Sequence, residues 1–350
     1  MIEQERYEAI DGIRTYAILG ILMMHVRANC GIEIKGLLYN KVIPAFTDFV
    51  FLFMMVSAFG MCCGYYKRIL GGTISIEEFY RKRYSKIWPY FALLCCFDFI
   101  MSPSKETFYM LFADLTLCFG LLPNAQIEVI GVGWTLGLIF VFYLLFPFFC
   151  FLINSKKRAW LSFAVSLTLN YMCSVFFFDN THMLDSFMIS SRTNIIYSSV
   201  YFLAGGLVYI YRKELSDFLE CRGWVVYSAI ICCLLFYFLM GSNTVTLLLL
   251  GGTLLIVALN SYRGILLNRF TRFFGGISFE IYLCHMLVYR VIERLDPFRG
   301  IGNPALKYIA LVVITIIGSA IFSTLSRRVI AEIKRWIVYS CKRLKREARQ

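Results

Sequence analysis

Arg14 and His25 stand eleven positions apart in the first apolar stretch of the chain. At 100° per residue, eleven steps return to within about 20° of the start, so on a helix the two side chains share one face, roughly 16 Å apart along the axis. A neutral imidazole can accept a proton from a hydroxyl, which is the task of a general base. A packing histidine bonded to a neighbouring carbonyl is the other reading of the same spacing. A second histidine lies in FFGGISFEIYLCHMLVY, where Ser278, Tyr282, His285 and Tyr289 follow a helical period and form one polar stripe on an apolar helix. Such a stripe in a membrane helix faces a cavity or another helix. Glu280 points about 140° away from His285 and is expected to pair with a basic group. His182 falls in a stretch with no such context.

A third concentration is EEFYRKRYSKIWPY, where Arg81, Arg83 and Lys86 precede Trp88 and Pro89. Arginines beside a membrane cleft suit phosphate. The same residues also read as a plain topology signal, since loops on the cytoplasmic side are basic in general.

These residues must be positioned by membrane helices. Of 350 residues, 59% are hydrophobic and only 16% charged, with a mean hydropathy of +0.68. Soluble domains carry about 25% charged residues, so a soluble enzyme is excluded, and so is a disordered chain. Apolar runs predict ten spans, near Ile10–Ala28, Phe46–Tyr66, Ile87–Met101, Trp134–Ile153, Trp160–Phe178, Asn194–Tyr211, Trp224–Met240, Thr244–Asn260, Phe273–Ile292 and Ala305–Leu325. The run Phe108–Leu122 holds Asp114 and ends at Pro123, and reads as a re-entrant or interfacial piece.

With the N-terminus in the cytoplasm, most of the 35 Lys and Arg fall on that side, in the loops around Lys67–Lys86, Lys156–Arg158, Arg212–Arg222 and Arg263–Arg272 and in the tail after Arg327. This is the positive-inside pattern, and it explains the net charge of +13 without nucleic acid as a partner. The fold class is therefore all-α, a polytopic membrane protein with about ten transmembrane helices and both termini cytoplasmic. The expected division is a transmembrane domain over 1–330 and a basic tail over 331–350 that lies on anionic lipid or is simply solvated. No small-residue cleavage site follows the first apolar run, so no signal peptide is expected to be removed. The thirteen Cys lie mostly within apolar runs, and with three His a zinc site is not expected.

Taken in chain order, these segments resemble the acyltransferase 3 family of membrane O-acyltransferases. AIDGIRTYAILGILMMHV is similar to the family's first helix, marked by an Arg, ten residues and a His, here Arg14 and His25. FLFMMVSAFG resembles the second-helix segment, with Ser57-Ala58-Phe59 where Ser-Gly-Phe is usual. FYRKRYSKIWPY is similar to the basic stretch before the third helix, with Lys86 in place of Arg. GWTLGLIFVFYLLFP resembles the segment from Trp134 to Tyr143 and Pro147, and GGISFEIYLCH the late Ser-Tyr-x-x-Tyr-Leu-x-His element, with Phe279 for the first Tyr. The matches cover residues 9 to 285. Ile139 and Phe140 stand where many members carry a Glu pair, and Phe51 where an Asp is frequent, with Asp48 about one turn earlier. No fused SGNH-type hydrolase domain is expected.

The resemblance implies transfer of an acyl group, usually acetyl, from cytoplasmic acetyl-CoA or another acyl-CoA to a hydroxyl of an extracytoplasmic or lipid-linked glycan, in the plasma membrane and without a metal. It assigns His25 as base with Arg14 and His285 as further catalytic candidates, Arg81, Arg83 and Lys86 to the donor's phosphates, and Ser57, Trp134 and Tyr282 to the acceptor. Membrane lipid and a glycan or lipid-linked saccharide are the expected partners. Two rivals remain from the residues alone. One is a transporter or flippase, since intramembrane His, Arg and Glu also mark substrate paths. The other is a catalytically silent scaffold or sensor.

Overall fold

A computed structural model describes residues 7–121, 130–177 and 194–347. Among the described residues every regular element is helical. The main helices are α1 (Ile10–Asn29), α2 (Phe49–Met61), α3 (Ile76–Met101), α4 (Lys105–Thr116), α5 (Trp134–Leu152), α6 (Lys156–Met172), α7 (Ile195–Ile210), α8 (Arg212–Met240), α9 (Thr244–Leu259), α10 (Arg269–Gly276), α11 (Ser278–Leu295) and α12 (Pro304–Glu347). Nine of the ten predicted apolar stretches overlap one of these helices, while Phe273–Ile292 is divided at Ile277 between α10 and α11; Phe178, at the end of Trp160–Phe178, lies outside the described residues. His182 lies outside the described residues.

Local sequence sets the starts. Asn243 with Thr246, Asn268 with Thr271 and Ser104 with Thr107 form reciprocal side-chain and backbone bonds that cap α9, α10 and α4. Ser75 accepts from the Glu78 amide and starts α3 well before the apolar stretch at Ile87, so Arg81, Arg83 and Lys86 are helical rather than in a loop. Helix α4 has 12 residues, about 18 Å, against a hydrocarbon core of about 30 Å, and so does not reach across a bilayer.

Among the described residues, length and apolarity sufficient to cross a membrane are met by five helical runs, Leu38–Leu70, Trp134–Leu152, Lys156–Phe176, Arg212–Met240 and Pro304–Ile337. In α8 only 11% of the most apolar stretch is buried in protein, which leaves Trp224, Ile231, Leu235 and Leu239 facing outward. A helix whose apolar stretch turns most of its surface outward is a lipid-facing helix. The charge expected to form a separate tail from residue 331 continues α12 without a break. At 44 residues α12 is about 66 Å long, roughly twice the hydrocarbon thickness, and so extends beyond any bilayer it crosses.

Helix α1 is the inner element, packed against α2, α10, α11 and α12. Its Ile18 and Leu22 are fully buried. Close approach is set by small residues, as is usual where lipid supplies no hydrophobic drive for helix association. A Cβ on Gly12 of α1 would sit 2.1 Å from the Leu266 carbonyl oxygen, and one on Gly205 of α7 would sit 2.2 Å from that of Met55 in α2.

Candidate functional site

Helices α1 and α11 cross with their polar stripes facing each other. His25 Nδ1 lies 2.7 Å from His285 Nε2. The ring centroids are 4.9 Å apart with planes inclined by 16°. That separation is the 2.7 Å contact plus the two ring radii, so the rings meet edge to edge along an in-line hydrogen bond. On its other side His285 Nδ1 lies 2.7 Å from the Tyr282 carbonyl oxygen, one turn back on α11. A carbonyl only accepts, so this nitrogen carries the proton. In a neutral pair His285 Nε2 is then the acceptor, His25 Nδ1 donates to it, and His25 Nε2 carries the lone pair. His285 is fully buried, whereas His25 keeps part of its surface accessible.

One step from the pair lies a cavity of about 560 Å³. Its apolar and hydroxyl-bearing end is made by Phe53, Ser57, Thr135 and Tyr282, and its charged part by Arg14, Arg83, Lys86, Arg327 and Lys334 with Asp11 and Glu280. Neither histidine is among the lining residues. Tyr282 joins the two regions, since it lines the cavity while its ring centroid lies 5.9 Å from that of His285. Its hydroxyl is 2.6 Å from Oγ1 of Thr135, which also lines the cavity.

The cations are held by different means. Arg14 Nη1 pairs with Asp11 Oδ1 at 3.0 Å, and Arg327 Nε with Glu280 Oε1 at 2.9 Å. Arg83 donates from Nη2 to the Tyr143 hydroxyl at 2.7 Å and lies over that ring, 4.3 Å from its centroid. Its Nε is buried and has no hydrogen-bond partner among the described residues. Lys86, which precedes the apolar part of α3, is reached by solvent through the cavity yet crowded by protein. Burial, with Arg83 and Arg14 next in order, pushes its ammonium down to about 8.

The structure thus gathers Arg14, Ser57, Arg83, Lys86 and Tyr282 around one cavity and sets His25 and His285 side by side behind it. Arg81 and Trp134 do not line it. Arg81 is exposed, because two residues on a helix turn a side chain by about 200°, which puts it opposite Arg83, whereas Lys86, three residues on, shares the Arg83 face. Of the positions where the family often has acids, Ile139 lines the cavity and Phe140 and Phe51 are buried; Asp48, one turn before Phe51, accepts from the Ser242 hydroxyl at the start of α2. Among the lining residues missed by sequence reasoning are Arg327 and Lys334, which read there only as members of a basic tail, and Thr135.

Apolar helices facing outward around a polar interior make this a multi-pass membrane protein. Within that class the family model described as an acyltransferase domain, acyltransferase 3, matches residues 7–324. The chain belongs to that family and is a membrane acyltransferase. No curated protein and no solved structure gives a match to it.

Proposed function

We propose that the protein transfers an acyl group, acetyl in the first instance, from acyl-CoA to a hydroxyl of an extracytoplasmic or lipid-linked glycan. In this reading it sits in the plasma membrane with ten spans and both termini in the cytoplasm, so that the basic end of the cavity opens to the cytosol. The observation that carries the reading is the juxtaposition of that cavity with the histidine pair through the single side chain of Tyr282. Arg83 and Lys86 hold the donor's diphosphate, and a phosphate oxygen supplies the partner that Arg83 Nε lacks among the described residues. The acyl-pantetheine arm runs past Ser57 and Thr135, and passing Tyr282 requires the Tyr282–Thr135 contact to open.

The acceptor hydroxyl approaches the accessible side of His25. His25 Nε2 takes its proton as the oxygen attacks the thioester carbonyl carbon. The C–O bond forms, the tetrahedral intermediate collapses with cleavage of C–S, and the departing thiolate takes the proton back from His25. The products are an ester and the free thiol. His285 accepts from His25 Nδ1 throughout, which fixes the ring and stabilises the imidazolium while it exists, much as a carboxylate orients a catalytic histidine. A neutral imidazole does this more weakly than a carboxylate, but without a buried charge.

Purified protein in phosphatidylcholine vesicles, given acetyl-CoA with a thiol-reactive dye and an oligosaccharide acceptor, tests the proposal. Release of CoA thiol together with acetylated sugar is expected. Substrate movement across the vesicle without thiol release would favour a transporter and overturn the reading.

A further inference from the structure

The cations of the cavity come from three separate helices, and the two contributed by one of these helices lie beyond the segment matched by the family. Arg14 comes from α1, Arg83 and Lys86 from α3, and Arg327 and Lys334 from α12. The family match ends at residue 324. Arg327 and Lys334 are seven residues apart, so they occupy one face of α12, about 10 Å apart along its axis. Both are anchored. Arg327 bridges Glu280 and also donates to the Gly276 carbonyl at 2.9 Å, while Lys334 Nζ donates to the Ser85 carbonyl at 3.2 Å. This last bond ties α12 to α3 beside Lys86.

Five cations and two carboxylates line a single cavity. The carboxylates are engaged by Arg14 and Arg327, which leaves Arg83, Lys86 and Lys334 without a carboxylate of the cavity within ion-pair distance. Such an arrangement favours a ligand with several negative charges. Order along α12 gives these charges a direction. Near the start of the helix, Tyr308 donates to the Met23 carbonyl, two residues from His25, so Arg327 and then Lys334 lie progressively farther from the histidine pair. A donor inserted thioester first places its pantetheine nearest the histidines, its diphosphate next and its nucleoside outermost.

We propose that Lys334, with Arg327 behind it, binds the phosphate on the nucleoside ribose of the donor, so that α12 makes the enzyme selective for a 3′-phosphorylated nucleotide thioester. This rests on the donor reading above and adds to it a specificity that neither the family match nor the histidine pair implies. Lysine suits the outermost place, since its point charge on a flexible stem reaches a phosphate monoester from a solvated helix.

The test compares acetyl-CoA with acetyl-dephospho-CoA, which lacks only that phosphate, in phosphatidylcholine vesicles. The unaltered protein should show a KM about tenfold lower for acetyl-CoA, the scale of one charge-assisted contact. Lys334→Ala should raise KM for acetyl-CoA about tenfold, leave KM for acetyl-dephospho-CoA and both kcat values unchanged, and so erase the discrimination. Lys334→Arg should restore it. Equal weakening of both donors, no weakening of either, an unaltered protein that does not discriminate, or an effect seen only with anionic lipid added would each overturn the assignment. Absence of transfer from both donors by the unaltered protein would instead overturn the proposed function itself.

Discussion

His25 and His285, 260 positions apart in the chain, share a 2.7 Å hydrogen bond from Nδ1 to Nε2 that joins α1 to α11. The proton on His285 Nδ1 is fixed by the Tyr282 carbonyl, so the bond has one sense, and the basic nitrogen of the pair is His25 Nε2. A residue that orients a base should affect turnover rather than donor binding.

Replacing His285 by Ala should lower kcat by about 10²–10⁴, the usual span of general acid–base catalysis, with KM for acyl-CoA nearly unchanged. His285→Gln keeps an oxygen able to accept from His25 Nδ1 and should recover part of the loss. Steady-state kinetics on both variants checks this, and a KM effect of the same size as the kcat effect would place His285 in donor binding instead.

Arg83 and Arg81 provide an internal control. Arg83→Ala removes a guanidinium that lies over Tyr143 and lines the cavity, and should raise KM for acyl-CoA about tenfold or more with little change in kcat. Arg81→Ala, on the opposite helix face, should change neither beyond about twofold. If the two substitutions weaken the donor equally, the basic segment acts through general charge and not through the cavity.

The segment carrying both arginines also marks the limit of what could be read in advance. The apolar stretches located helices, five of them within runs long and apolar enough to span a membrane among the described residues, and the Arg14–His25 spacing located one half of the histidine pair, because both are local periodicities. With the stretch before Ile87 read as a loop, Arg81 groups with Arg83. The Ser75-x-x-Glu78 cap was the signal that α3 begins earlier, and extending the 100° period back to it separates the two arginines. The His25–His285 bond and the arrival of Arg327 and Lys334 at the cavity are tertiary relationships, which no spacing along one helix encodes.

Lys86 gives the donor step a pH dependence with a definite sign. Its ammonium is pushed down to about 8 by burial first and then by Arg83 and Arg14, with Arg327 adding to them and Glu280 opposing. Below that value Lys86 is charged and attracts phosphate. As pH rises through it the charge is lost, so KM for acyl-CoA should climb between about pH 7.5 and 9. Lys86→Arg, which stays charged there, should flatten the profile. A KM that is flat in the unaltered protein, or that falls with pH, would contradict the role given to Lys86.

The bundle itself depends on the crossing at Gly205. A Cβ there would sit 2.2 Å from the Met55 carbonyl oxygen, a backbone atom that cannot swing aside, so Gly205→Ala should force α7 off α2 and destabilise the fold by about 1–3 kcal/mol or more. Size-exclusion chromatography and the melting temperature in detergent would report it. Gly252, whose added Cβ meets nothing within 4 Å, is the matched control, and Gly252→Ala should behave like the unaltered protein.

Acyl transfer by the proposed route depends on the proton taken up at His25 Nε2. The direct measurement is turnover of labelled acetyl-CoA by His25→Ala, purified and shown by its melting temperature to be folded, beside the unaltered protein. Loss of acetyl transfer by at least about a hundredfold, with donor binding retained, is the expected result. Unchanged transfer by the folded variant would mean that this histidine is only a packing residue and that the reaction, if there is one, is carried elsewhere.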